Sequence, residues 1–517
     1  MAARFLSQAG IVGVGTLASR ITGFIRDIMV AALLGAGPFA EIFVIAFRLP
    51  NLFRRLFAEG AFNSAFVPLY MQAYKQKGHL AARQFAAQIC VILLTGLVVF
   101  TALAQLFMPQ LVAALAAGFV GEPDKFALAV HYSRISFFYL IFMSLLSLFA
   151  AMLNAQGRFF ASSFAPIMLN LVLIAAMGLA VILGVTQVAT MLAYLIFGVV
   201  LGGLAQFFFV WIAALRAGLG FHLPRPRLTP NIKRMFTLFV PGVLAAGTLQ
   251  INLLIGTSIA TLQPGAAAWL YYADRLYQLP MGIIGLTLSV VLLPELSRRV
   301  AANDIVGAKS TQNLAVLAAM ALTLPAAGGL VVLAQPIVTL LFERGAFLPS
   351  DTQATSVAIQ LFCLGLPAFV AVRVLQPAFF ARQDMRTPFI DSAVGAGFNI
   401  IVSISFFPIY GYAAIAAATG LAGWVTLSLM LIRLHRRDMW RMHRGLLWRL
   451  LALLLAALLM ALALLWLGTK LPMPSHFIGL IKYLMVMIGG GFILFVGLAW
   501  LLGGIRWRDL SDLRTRP

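Results

Sequence analysis

The chain is a succession of apolar runs of about 20 or more residues, separated by charged or Pro/Gly turns. At 1.5 Å per residue, a helix of that length spans the roughly 30 Å hydrocarbon core of a bilayer. Fourteen such segments are expected, at 6–34, 38–72, 85–117, 127–155, 163–184, 187–217, 231–262, 267–300, 309–343, 351–381, 387–408, 411–434, 446–468 and 479–503. The fold class that follows is an all-α polytopic membrane protein. A large soluble core is excluded by composition: 10% of residues are charged, against about 25% in soluble domains, and 62% are hydrophobic.

A net charge of +22 invites a nucleic-acid reading. Its distribution argues for the positive-inside rule instead, because the basic residues fall in alternate short loops. One set of loops holds Arg4; Lys75, Lys77 and Arg83; Arg158; Arg216 to Arg234; Arg298, Arg299 and Lys309; Arg382 and Arg386; and Arg433 to Arg449. The other holds Lys125, Arg344 and Lys470. Both termini are therefore expected in the cytoplasm, with the 433–449 stretch against the anionic inner leaflet. The N-terminus runs into a long helix with no small-residue cleavage site, which predicts a retained span. Cys90 and Cys363 lie in apolar runs and form no disulfide framework or metal motif.

An internal repeat divides the chain. AFRLP around Arg48 matches ADRLYQLP around Arg275, LAQLFMPQLV matches LAQPIVTLL, NAQGRF matches ARQDMR, and Asn170 falls near the counterpart of Asn399. All four pairs are offset by about 227–230 residues, which suits two parallel six-helix halves. The expected organisation is an N-terminal lobe at 1–223, a C-terminal lobe at 224–440, and two further helices with a cytoplasmic tail at 441–517.

The second constraint is a set of arginines inside these apolar segments: Arg20 and Arg26 in the first, Arg54 and Arg55 in the second, Arg275 in the eighth. Each costs roughly 2.5–3.5 kcal/mol at the bilayer centre on insertion scales, so such residues face a water-filled cavity or a partner. Arg20 lies about 21 Å along the first helix, too deep to reach the interface easily. Asp27 is placed to neutralise Arg26 in part. In RLPNLFRRLFAEG, helical spacing puts Arg48, Arg55 and Glu59 on one face and Arg54 about 100° away. This gives Arg55–Glu59 a structural or gating role and leaves Arg54 to meet a ligand. Asp274 and Arg275 are the counterparts in the second half. Guanidinium groups grip phosphate oxygens, so the cluster points to an anionic substrate. The alternative is a structural ion pair joining the first and eighth segments.

No phosphate-binding glycine loop, zinc-binding HExxH or nucleophile elbow is present, and the six histidines fall in loops or at helix ends. No enzyme activity, cofactor or resident metal is expected.

The segments SRITGFIRD, FRLPNLFRRLFAEGAFNSAFVPLY and YYADRLYQLP closely resemble the MurJ (MviN) family of lipid II flippases, within a superfamily of two-lobed exporters. The resemblance covers essentially the whole chain. It implies movement of the undecaprenyl-pyrophosphate-linked disaccharide-pentapeptide from the inner to the outer face of the cytoplasmic membrane by alternating access. It also implies that Arg20, Arg26, Arg54 and Arg275 line a central cavity. Asp27, Glu41, Asn51, Arg55, Glu59 and Asp274 then support or gate it. The partners implied are lipid II and membrane lipids, with cell-wall synthesis or division proteins as further candidates and no nucleic acid. Some members bind sodium through carboxylates on helices 7 and 11, where this chain has Gln250, Asn252, Asn399 and Ser403, which places sodium coupling in doubt. The competing readings are a flippase for another polyprenyl-linked glycan and a non-transporting cell-wall scaffold.

Overall fold

The computed structural model describes residues 2–57, 61–220, 224–225 and 230–505. Among them the regular structure is helical throughout, and eleven helices are long and apolar enough to cross a membrane. The expected segments at 6–34, 38–72 and 231–262 fall outside those eleven. Two of the three carry the arginines, whose charges lower the hydropathy of otherwise apolar helices. The chain divides into two compact units, one comprising Met1–Ala268 with Gly345–Phe347, the other Trp269–Arg344 with Leu348–Pro517.

The first unit contains α1 (Ala2–Leu34), α2 (Pro38–Phe57), α3 (Ala61–Leu106), α4 (Met108–Leu115), α5 (Pro123–Phe137), α6 (Tyr139–Ala155), α7 (Phe160–Ile182), α8 (Val188–Arg216) and α9 (Pro230–Ala260). Proline opens α5, where the first turn has no N–H partner to lose. The break expected between the second and third segments falls within the polar KQKGH run: α3 as bounded above is two helices joined at Gly78, whose φ of 79° and ψ of −177° are non-helical, open to glycine and costly for other residues. Helix α7 packs on both α1 and α8, and α9 packs on α2, α3 and α4. The compact unit therefore runs past residue 223, because α9 is held by the helices before it.

The second unit begins within α10 (Ala266–Pro280) and continues through α11 (Leu286–Ala301), α12 (Ile305–Leu341), α13 (Pro349–Phe380), α14 (Arg386–Tyr410), α15 (Tyr412–Arg436), α16 (Arg444–Lys470) and α17 (Phe477–Leu501). Pro280 ends α10 in a wide turn of π-helix over Met281–Gly285, as expected where a ring removes a backbone donor. Helix α13 is the hub, packed against α11, α12 and α15. Its crossing with α15 is close: a Cβ on Gly365 would lie 2.4 Å from the Gly420 Cα. Helices α16 and α17 pack against each other and on α12. Helix α16 turns Leu453, Ala456, Met460 and Leu464 inward while Leu451, Leu455, Leu458 and Leu462 are exposed. A helix apolar on every side suits lipid on its outer face.

Candidate functional site

In the first unit the arginines occupy three different environments. Arg20, on α1, is half-buried and makes no hydrogen bond or ion pair among the described residues. Less than two turns later Arg26 is only 6% exposed. Its Nε and Nη2 donate to Asp27 Oδ1 at 3.0 and 2.6 Å, and its Nη1 donates to Asn170 Oδ1 on α7 at 2.9 Å. Its guanidinium carbon also lies 5.9 Å from the Phe47 ring centre on α2. Within this unit Asp27 and Asn170 thus stabilise a cation that lipid alone would penalise.

Helix α2 presents a row of polar groups. Arg48 Nη1 donates to Thr257 Oγ1 on α9 at 2.5 Å. Asn51 Nδ2 donates to the Phe47 carbonyl at 2.8 Å, and Asn51 Oδ1 accepts from Arg54 Nε at 3.0 Å. Arg54 is half-buried and Arg55 exposed. The two therefore point differently, as helical spacing required. Glu59, and with it the expected Arg55–Glu59 pair, lies outside the described residues.

The other end of α2 holds a fully buried carboxylate. Glu41 is 0% exposed, and its Oε2 accepts from Lys125 Nζ on α5 at 2.8 Å. Lys125 also reaches Glu122 at 3.3 Å and lies 4.3 Å from the Phe119 ring centre. Sequence reasoning placed Lys125 among loop cations. It is instead in the first turn of α5 and 7% exposed, because an unpaired Glu41 would be too costly to bury.

In the second unit Asp274 and Arg275 are both half-buried. Gln278 Nε2 donates to Asp274 Oδ2 at 2.5 Å. Arg275 Nη2 donates to the Tyr271 hydroxyl at 3.1 Å, with its guanidinium carbon 4.7 Å from that ring centre. Sequence reasoning missed Arg373, on α13. Its guanidinium makes no hydrogen bond or ion pair among the described residues, and a Cβ on Gly285 would lie 2.9 Å from its Cδ. A single Arg inside the apolar AFVAVRVLQPAFF run was the available signal.

Near the loop ends, Arg437 Nη1 pairs with Asp384 at 2.6 Å and Arg433 with the buried Asp391 at 2.8 Å. Burial would raise the Asp384 carboxyl, but the Thr387 hydroxyl, the Thr387 backbone N–H and the Arg437 guanidinium outweigh it and hold the pKa at about 2. Lys309 and Arg441 hold Asp438 below its usual value in the same way. Part of the basic 433–449 stretch is thus spent on closing α14 and α15 together. Among the described residues no group of three or more His, Cys, Asp or Glu is placed to hold a metal ion. At the position where relatives were expected to offer carboxylates, Asn399 Oδ1 accepts from Ser403 Oγ at 3.1 Å.

Arginines buried in apolar helices, on a two-unit helical frame, are the features that comparison with known proteins has to explain. The family model described as lipid II flippase MurJ matches residues 30–484. The chain belongs to the MurJ family. It is 45% identical to the probable lipid II flippase MurJ of Rhizobium meliloti (strain 1021), over 88% of this chain and 85% of that protein. It is 35% identical to the corresponding Vibrio cholerae protein, over 90% and 89%. In fold it is similar to a solved lipid II flippase MurJ in an inward closed conformation, with a TM-score of 0.79, 24% identity, and coverage of 97% and 99%. A multidrug resistance MATE transporter of the MOP superfamily shares the fold more distantly, with a TM-score of 0.67, 12% identity, and coverage of 81% and 95%. The likeness in fold agrees with the all-α polytopic membrane class expected from the sequence.

Proposed function

We propose that this chain is a lipid II flippase, a transporter and not an enzyme. It moves the undecaprenyl-pyrophosphate-linked peptidoglycan precursor from the cytoplasmic to the periplasmic leaflet by alternating access. The observation that carries the reading is the match to the MurJ family over residues 30–484. The chemistry agrees: Arg20 is a half-buried guanidinium in a membrane helix without a protein partner among the described residues, ready for an anion. Arg54 of the first unit and Arg275 of the second supply further guanidinium donors, and Arg26 joins them when phosphate oxygens replace Asp27 on its guanidinium while Asn170 keeps hold of Nη1. Asp27, Glu41, Asn51, Arg55, Glu59 and Asp274 support or gate these cations. The repeat-related lobes, at 1–223 and 224–440, are the moving bodies, with α9 travelling with the first-lobe helices on which it packs, and α16 and α17 complete the 441–517 region. Both termini lie in the cytoplasm, and lipid II, the surrounding lipids and cell-wall synthesis or division proteins are the partners.

Vesicles reconstituted with the protein and lipid II test this reading, with headgroup exposure on the far leaflet as the readout. Arg20→Ala and Arg54→Ala should each slow exposure about tenfold, roughly the worth of one charge-assisted hydrogen bond. Wild-type rates in both variants would remove the arginines from the mechanism.

A further inference from the structure

Asn170 is a polar side chain in the middle of the apolar helix α7, 5% exposed, and its carboxamide is spent entirely on α1. Its Oδ1 accepts from Arg26 Nη1 at 2.9 Å. Its Nδ2 donates to the Ser19 carbonyl and to Thr22 Oγ1, each at 3.1 Å. The orientation of the amide is fixed by chemistry. Arginine can only donate and a carbonyl can only accept, so the oxygen must face Arg26 and the nitrogen must face Ser19. Gly23 makes the approach possible, since a Cβ there would lie 3.3 Å from Nδ2.

The two ends of one amide therefore grip the stretch of α1 that carries both Arg20 and Arg26. We infer that Asn170 is a positioning residue for lipid II binding: it aims the Arg26 guanidinium as a neutral acceptor that leaves its positive charge intact. Asp27 already supplies one negative charge to Arg26 at 2.6 Å. A second carboxylate at position 170 would compete with an incoming phosphate, and an aliphatic residue would leave the guanidinium unaimed. An asparagine avoids both. This inference rests on the proposed function, because it takes the pyrophosphate of lipid II as the anion Arg26 meets.

The test is a double-mutant cycle on the full-length protein in detergent, measuring lipid II affinity together with thermal stability. Arg26→Ala should weaken binding, and Asn170→Ala should weaken it about tenfold in the wild-type background, the worth of one hydrogen bond to a charged group. In the Arg26→Ala background Asn170→Ala should cause no further loss, because residues that act through one another are not additive. A role in helix packing alone predicts the opposite: an equal loss in both backgrounds that follows the fall in stability. That additivity would overturn the inference. Should Asn170→Ala fail to accumulate, Asn170→Asp keeps the volume and carries the same cycle. It should weaken binding about tenfold with Arg26 present and not without it, and wild-type affinity in Asn170→Asp would overturn the inference equally. Unchanged affinity in Arg26→Ala would overturn both this inference and the arginine role on which it rests. Failure of Asn170 alone is recognised by a weakened Arg26→Ala beside an unaffected Asn170→Ala.

Discussion

Removing the Lys125 ammonium should strand a buried charge. Glu41 is fully buried and Lys125 nearly so, with 2.8 Å between Oε2 and Nζ. Breaking a buried ion pair by deleting one partner costs about 3–5 kcal/mol, because the surviving charge keeps its desolvation penalty and loses its compensation. Glu122 adds little to the wild-type balance, since its side chain is 51% exposed and screened pairs are worth at most about 1 kcal/mol. Lys125→Met keeps most of the aliphatic volume and removes the ammonium, losing with it the cation–π contact with Phe119, worth about 0.5–2 kcal/mol. Expected is a loss of about 3–5 kcal/mol in Lys125→Met, and only the Phe119 contact, at most about 2 kcal/mol, in the double variant Glu41→Gln/Lys125→Met, where no charge is left to strand. Denaturant unfolding of the purified protein gives both numbers. The reasoning fails if Lys125→Met is within about 1 kcal/mol of wild type, or if the double variant is as unstable as the two single changes summed. Because α2 also carries Arg48, Asn51 and Arg54, the destabilised variant should flip more slowly and the double variant should recover part of that rate.

Three further outcomes follow from the same structure. Gly365→Ala would push a Cβ to 2.4 Å from Gly420 Cα and should cost about 1–3 kcal/mol, visible as a lowered unfolding midpoint; an unchanged midpoint would mean that α13 and α15 do not cross this closely. The Asp384 carboxyl, held at about 2 against an ordinary 3.8, stabilises the folded chain above the ordinary value and loses that contribution as pH falls toward 2. Asp384→Asn should therefore be less stable than wild type by a constant margin above about pH 5, and the margin should shrink below pH 4; a margin independent of pH down to 2 would contradict the Arg437 and Thr387 contacts. Two negative charges moving outward through about 100 mV, inside negative, gain about 4.6 kcal/mol, so collapsing the potential in vesicles should slow flipping sharply, and an unaffected rate would exclude the potential as the driving force.

The membrane class and most of the helices were legible because their signal is local: an apolar run either reaches bilayer length or does not. Polarity also located the break between the second and third segments: KQKGH contains Gly78, where the backbone leaves helical geometry and one helix ends and the next begins. The arginines were legible as anomalies, and Asp27 as the partner of Arg26 because the two are adjacent. Their distant partners were not. Asn170 is 144 residues from Arg26, and no local pattern marks it as the acceptor for a guanidinium. Lys125 sits in the polar run GEPDK and looked like a surface cation until α5 folded it onto Glu41, 84 residues earlier in the chain. Arg373 stands alone in the apolar run AFVAVRVLQPAFF, outside the motifs that carry the other arginines.

The central claim is that this chain delivers lipid II to the outer face through its membrane-embedded arginines. The most direct measurement is cleavage of exposed lipid II by an enzyme added outside cells depleted of the protein, with wild type or a normally abundant Arg26→Ala variant supplied back. The account predicts that cleavage falls on depletion, returns with wild type and stays low with Arg26→Ala. Undiminished cleavage during depletion, in cells with no second flippase, would contradict it and favour transport of another polyprenyl-linked glycan or a scaffolding role.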